Sequence, residues 1–368
     1  MKTIVITLFI LTYVIMLTLP KYRQYAATAV AVVMVILGVV SPLEAVNAID
    51  WNVIMMLAGT MGTVYLCIES KMPAMVRDML VNKLKSVKLI FVALALFSGF
   101  VSAFIDNVAT VLMVAPIALA IAKKFNVSPV NTVLTVAVSS NLQGAATLVG
   151  DTTSILLAGY AGMDFMDFFV IDGKPGMFWI VQAGAMATIP ILFWIFRNEK
   201  NRIETTEITK VTDFMPTYAL LATVISLVIA SFIPNKPALT NGLICVFFFI
   251  AVLRYEVGRD EPVATGHDAV LAIDFDTLLL LSGLFVIIQA VTNVGLIDDI
   301  SNAFVNIAGD NLFKIYTILV WFSVLVSAFI DNIPYVATML PVVSGISAQL
   351  GLDPTLLYFG LLAGATLG

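Results

Sequence analysis

The hexapeptide "SAFIDN" occurs at 102–107 and again at 327–332, each time inside a long apolar stretch, so Asp106 and Asp331 stand 225 residues apart in matching surroundings. A carboxylate placed in hydrocarbon costs about 2.5–3.5 kcal/mol on insertion scales, so an intramembrane aspartate is retained for a use. The match extends outward from the pair. "AIDWNVIMMLAG" at 48–59 answers "AIDFDTLLLLSG" at 272–283, Pro116 and Pro341 each follow their aspartate by ten residues, and Ser128-Pro129 answers Asp353-Pro354. Several matches that hold one offset to within a residue point to an internal duplication.

Composition sets the environment. Hydrophobic residues make up 60% of the 368 and charged residues 12%, with a mean hydropathy of +1.02. A soluble chain of this length needs far more polar surface. Apolar runs at 3–20, 25–40, 178–196, 215–233 and 275–291 approach the roughly 20 residues that cross a bilayer. The fold class expected is an all-α polytopic membrane protein. The opening "MKTIVITLFILTYVIMLTLPKYRQ" imitates a signal peptide, but it has little amino-terminal charge and no small-x-small cleavage site before Lys21, so it reads as a retained first span. The net charge of −5 says little about partners, because the side on which membrane-protein charges lie matters more than their sum. There is no basic, aromatic-interleaved patch to suit a nucleic acid. Cys67 and Cys245 lie apart in apolar runs and read as buried free thiols. His267, the single histidine, falls in a polar stretch and reads as a loop residue, which leaves no zinc or haem constellation.

Charge then suggests the topology. Basic residues gather at 71–88 (Lys71, Arg77, Lys83, Lys85, Lys88), at Lys123-Lys124 and at 197–210 (Arg197, Lys200, Arg202, Lys210), and the positive-inside rule puts all three on the cytoplasmic side. The stretch 89–122 therefore leaves and returns to one face, with Asp106-Asn107 at its midpoint. A re-entrant hairpin and a pair of short full spans both satisfy that requirement. The matching flank of the second half carries Asp298, Asp299 and Asp310 with only Lys314. Spans expected near 53–69, 130–157, 178–196, 215–233 and 239–253 are odd in number, so the halves come out inverted. The expected organisation is a first inverted repeat over 1–196, a cytoplasmic linker over 197–213 and a second repeat over 214–368 with its own hairpin at 314–348. Inverted repeats of this kind build secondary transporters whose binding site lies where the repeats meet. The segment 70–88 is too charged to cross, and Met75, Met79, Leu80, Leu84 and Val87 follow helical spacing. An amphipathic helix lying in the interface is expected there, with a solvated linker helix as the alternative.

Within "NTVLTVAVSSNLQGAATLVGDTTSILLA" (131–158) the core from Ser139 to Ser154 is polar and glycine-containing although it sits in a span. Gly144 and Gly150 weaken a helix, and Ser, Thr, Asn and Asp offer its backbone other hydrogen bonds. A broken helix over 130–157 follows, since open backbone at membrane depth is tolerated only against protein or a watery cavity. Its carbonyls and hydroxyls suit a small hard cation and its half-helix amides suit an anion. The candidate ion- or substrate-binding residues are Asn141, Gly144, Thr147, Gly150, Asp151 and Thr152 here, Asp106, Asn107, Asp331 and Asn332 at the two tips, and Thr366 at the position matching Asn141. Asp and Asn also cap helix N-termini well, so capping alone and capping combined with ion binding both stay open for the tips. Asp151 is expected nearer the outer surface.

These motifs resemble the ion-transporter superfamily that includes divalent-anion:sodium symporters, citrate transporters, arsenite permeases, NhaD-type sodium/proton antiporters and the melanosomal P protein. "SAFIDNVATVLMVAPI" and "SAFIDNIPYVATMLPV" are similar to the P-protein and NhaD-like branch, which carries Asp-Asn at the hairpin tip. In the symporters a Ser-Asn-Thr motif holds the place of Asp106-Asn107, with Thr110 nearby, which adds Thr110 to the candidates. "SSNLQGAATLVGDTTS" resembles that branch's broken-helix segment, with Gln143 and Thr152-Thr153-Ser154 as departures. The counterpart of "GAATLVGDTTS" would follow Gly368, so the second broken helix is expected to be cut off there. The resemblance implies a homodimer in the bilayer in which a transport domain moves against a scaffold.

The function expected is secondary active transport of a small inorganic or organic ion across the cell membrane, with no enzymatic role. Two tip carboxylates favour a cation, so sodium/proton antiport is the first reading, with anion (citrate or dicarboxylate) symport or arsenite export as alternatives. No cofactor is expected beyond a sodium ion, for which Asp106, Asn107, Asp331 and Asn332 are the candidate ligands. An intramembrane aspartyl protease would need Gly-x-Gly-Asp, and Leu148 stands two residues before Gly150-Asp151 where that motif requires glycine. A channel stays open.

Overall fold

The computed structural model describes every residue except Lys85, Lys200, 202–207 and Asp310, together with the side chain of Ala308. Lys85, Lys200, Arg202 and Asp310, four of the charges used for topology, therefore lie outside the described residues, as does the middle of the 197–213 linker.

Helices dominate the described residues, which also hold a two-stranded antiparallel ribbon in which Val170–Ile171 pairs with Lys174–Pro175. The first ten helices are α1 (Lys2–Thr18), α2 (Arg23–Ile36), α3 (Pro42–Ala48), α4 (Trp51–Glu69), α5 (Met72–Lys83), α6 (Val87–Ser102), α7 (Asn107–Lys124), α8 (Pro129–Gly144), α9 (Thr152–Ala161) and α10 (Met177–Ile195). Eight more follow: α11 (Met215–Ala230), α12 (Thr240–Val257), α13 (Gly266–Leu271), α14 (Phe275–Asn293), α15 (Leu296–Ala308), α16 (Leu312–Ser327), α17 (Asn332–Leu350) and α18 (Thr355–Leu367). Among the described residues six helical segments are long and apolar enough to cross a bilayer, and four shorter apolar helices accompany them. Phe232, Phe313, Trp321 and Phe329 stand exposed on helices or at their ends, where a soluble protein would place charges. His267 is not in a loop: it lies in α13, whose Thr265 cap starts a helix in that polar stretch.

The helix order of α1–α8 returns in α11–α18. α4 and α14 have 19 residues each, α6 and α16 have 16 each, and both α7 and α17 carry an internal proline. The sequence match begins only at residue 48, so the agreement of α1–α3 with α11–α13 is legible in structure alone.

Packing divides the chain into two compact units that do not follow this order. One holds 1–54, 156–162 and 274–368, the other 55–155 and 163–273. In the second, α4 docks on α12 at Gly59, where a Cβ would lie 2.4 Å from the carbonyl carbon of Cys245. In the first, α14 docks on α2 at Gly283, where a Cβ would lie 2.8 Å from the carbonyl carbon of Ala27. Gly59 and Gly283 hold equal places in the two matching segments, so the fourth helix of each series packs on the second helix of the other. Cys67 and Cys245 are buried free thiols.

Around the first tip, α5–α8 share one core of Val81, Ile90, Leu94, Val114, Ala118 and Val136. Phe91 of α6 stacks on Phe196, which follows α10, with ring centroids 4.9 Å apart, an arrangement worth about 0.5–1.5 kcal/mol beyond burial. On α5 the charges Arg77 and Asp78 are buried while Val76 and Met79 are exposed, the reverse of a water-facing helix. Asp78 accepts from the Thr209 amide at 2.9 Å and its hydroxyl at 2.5 Å, tying the described end of the linker to α5. Arg77 donates to Asp78 at 3.1 Å and to the Met113 carbonyl at 3.3 Å, one turn ahead of Pro116, where the helical ladder is interrupted.

Burial alone would raise the Asp78 carboxyl; the Thr209 hydroxyl and amide and the Arg77 guanidinium outweigh it and hold its pKa below the ordinary value. Because the folded value is depressed, the stabilisation is fully present above the unfolded pKa of about 3.9 and is lost as pH falls through the folded value. Asp78→Ala is expected to destabilise the protein by about 2 kcal/mol at neutral pH. Thermal unfolding in detergent checks this, and the gap from the parent protein should close on acidification.

Candidate functional site

The first "SAFIDN" is the joint between two helices. α6 ends at Ser102 and α7 begins at Asn107, with Asp106 as its N-cap. The Asp106 carboxylate accepts from the amides of Val108 at 3.0 Å and Ala109 at 3.1 Å, and its charge suits the positive end of the helix. Asn107 donates through Nδ2 to Asn141 Oδ1 at 2.8 Å, while its own Oδ1 is turned toward Gly144, 2.7 Å from where a Cβ would stand. That Oδ1 and the Ser102 hydroxyl are buried without a hydrogen-bond partner among the described residues. Buried polar atoms left this way cost about 1–3 kcal/mol each, so their persistence calls for a use.

The partner segment is a broken helix. α8 ends at Gly144 and α9 starts at Thr152, leaving 145–151 as turn. The break packs onto the hairpin joint through Gly150. A Cβ there would lie 2.5 Å from the Gly144 carbonyl oxygen and 2.8 Å from those of Ser102 and Ala103, so three carbonyl oxygens converge on one point. The Thr147 hydroxyl donates to the Ala103 carbonyl, and the Ser154 hydroxyl donates to that of Gly144 at 3.4 Å. Asp151 accepts from the Thr152 amide at 2.9 Å and from the Thr153 hydroxyl. It is 8% exposed.

Asp106, Gly150, Asp151 and Thr152 line one small cavity with Thr60 and Met61 of α4. Its free volume is about 20 Å³, room for one water or one small ion. Asn107, Asn141, Gly144 and Thr147 surround the joint beside it. Thr110 is buried with its hydroxyl 3.4 Å from the Ile105 carbonyl, in the first turn of α7 and off the cavity wall. No group of three or more His, Cys, Asp and Glu side chains could hold a metal ion among the described residues.

The second "SAFIDN" joins α16 to α17 in the other compact unit. Asp331 caps α17, accepting from the Ile333 amide at 3.1 Å. It also forms an ion pair with Arg23 at the start of α2. Ser327 Oγ lies 2.5 Å from both Asn332 Oδ1 and the Ala365 carbonyl oxygen. Thr366 donates back to the Leu362 carbonyl at 3.0 Å along its own helix. Sequence reasoning missed Arg23, Thr60 and Ser102. Ser102 stands in the quoted hexapeptide, but Arg23 lies 308 residues from its partner, and only its being a basic residue beside apolar spans marked it.

Comparison with known proteins now has a frame. The profile of the citrate transporter family CitMHS matches residues 8–364. An uncharacterised transporter of Mycobacterium tuberculosis is 28% identical over 96% of this chain and 83% of its own. The human P protein is 23% identical over 75% of this chain and 42% of its own. Among solved structures, the YdaH transporter of Alcanivorax borkumensis, reported for its unusual topology, superposes with a TM-score of 0.54 at 14% identity, covering 87% of this chain and 74% of that one. The likeness to YdaH concerns the fold alone, while the profile match spans nearly the whole sequence. The chain belongs to the CitMHS citrate transporter family and is a multi-pass membrane transporter, not an enzyme.

Proposed function

We propose that this protein is a cation-coupled secondary carrier that exchanges sodium for protons, with the cation held at the first hairpin tip. The observation that carries the reading is the cavity shared by Asp106 and Asp151, with about 20 Å³ of free volume. A tricarboxylate does not fit that volume, and two carboxylates would repel it. A dehydrated sodium ion does fit, and hard oxygen donors are what such an ion takes. Asp106, Asp151, Thr60 and Thr152 are the oxygen-bearing side chains on the cavity wall, and Asn107 and Ser102 lie at the joint beside it.

The reciprocal docking of Gly59 and Gly283 supports reading the halves as repeats, and the charge distribution of the sequence supports taking them as inverted, with 197–213 cytoplasmic and α5 along the interface. The same reading includes a homodimer in the bilayer. A second reading, cation-coupled citrate uptake, is favoured by the family's description, with the same tip holding the coupling ion.

The test is reconstitution of the full chain in liposomes that are acidic inside and carry a trapped pH indicator. Sodium added outside is expected to alkalinise the lumen in a saturable way, without citrate or arsenite. Alkalinisation that appears only with citrate would remove the antiport reading in favour of the second, and flux that never saturates would indicate a channel.

A further inference from the structure

Far from the first tip, α15 and α16 enclose a groove with about 340 Å³ of free volume. Ile300, Ala303, Phe304 and Ile307 line it from α15, and Phe322 lines it from α16. The α15 positions recur at helical spacing and make one apolar stripe roughly 12 Å long from 299 to 307. The rings of Phe304 and Phe322 meet edge to face across the groove, with centroids 5.7 Å apart. Phe313, Trp321 and Leu325 stand exposed on α16, so the groove opens beside a flank built for hydrocarbon.

The end of the stripe is charged. Asp299 lines the groove there, and Lys2 pairs with it at 2.6 Å. Lys2 also donates to the Gly295 carbonyl at 3.5 Å. It opens the apolar helix α1, a place from which lysine reaches for the boundary between lipid and water. Both side chains of the pair are about half exposed. Such a pair adds little to stability, so its two charges can be shared with a ligand at small cost. An apolar trough with one anion and one cation at its mouth is complementary to an amphiphile whose head carries both signs.

We propose that this groove is a binding site for one phosphatidylethanolamine molecule. An acyl chain lies along the α15 stripe, the ammonium of the head donates to Asp299, and its phosphate accepts from Lys2. Charge-assisted bonds of this kind need N–H donors on the lipid for Asp299 and an anionic oxygen for Lys2, and the ethanolamine head supplies both. A glycerol head supplies only the anion and would bring it up to a carboxylate. Asp299 therefore selects the head, while Ala303 leaves room for the chain.

Native mass spectrometry of the purified full chain in detergent, exchanged with an equimolar mixture of phosphatidylethanolamine and phosphatidylglycerol, tests this. The parent protein is expected to retain one phosphatidylethanolamine with a roughly five-fold preference, the effect of one charge at head-group level. Asp299→Asn is expected to retain lipid with no preference between the two heads. Ala303→Trp fills the groove and should lose the retained lipid, whereas Leu325→Trp, on the exposed flank of α16, should keep it. A parent protein that holds both lipids equally would overturn the proposal, and so would an unchanged preference in Asp299→Asn. These two results decide the matter even if Ala303→Trp does not fold. A dimer that falls apart in Ala303→Trp with lipid retention unchanged would assign the groove to a second copy of the chain and overturn it as well.

Discussion

Asp106→Asn is expected to abolish sodium-driven proton movement in proteoliposomes while leaving the protein folded. Asparagine caps a helix about as well as aspartate, so its Oδ1 can keep the contacts with Val108 and Ala109. What disappears is the charge facing the cavity. Charge-assisted contacts are worth about 1.5–3 kcal/mol, which converts to a roughly 10- to 100-fold weaker hold on the cation. Asp106→Ala removes cap and charge together and should add about 1 kcal/mol of destabilisation. The pair of variants therefore separates the two roles: unfolding temperatures in detergent report the cap, and flux reports the charge. Flux unchanged in Asp106→Asn would mean that the carboxylate serves the helix alone.

Gly150→Ala is the other severe variant. Its Cβ would meet three backbone oxygens at 2.5–2.8 Å, none at the end of a flexible side chain, so the hairpin joint and the break between α8 and α9 must part. Overpacking of this sort costs about 1–3 kcal/mol. The expected result is loss of transport with a lowered unfolding temperature. Gly184→Ala, whose Cβ would meet only Leu142 at 3.8 Å, is the matched control and should behave like the parent protein. If Gly150→Ala transports normally, the convergence of carbonyls at that point has no part in binding.

Much of this was legible in the sequence because polarity inside a span is rare and therefore informative. Asp106, Asn107 and the glycine-bearing run from Ser139 to Ser154 announced a joint and a break, and α6–α9 have their ends there. What stayed hidden depended on contacts between distant residues. Nothing near Arg23 names Asp331 as its partner, and nothing in "SAFIDN" tells the satisfied serine–asparagine pair from the unsatisfied one. The correspondence of α1–α3 with α11–α13 shows only in the order of helices, because their residues carry no match that holds the offset.

The crossed docking of Gly59 on α12 and Gly283 on α2 makes each half of the chain an incomplete protein. Neither half owns a finished packing face; each lends one helix to its sibling and borrows one in return. A chain of half the length would meet the same need only by pairing with a second copy. A mutation in one half is consequently read by the other, and the two halves are bound to evolve together even where their sequences no longer match.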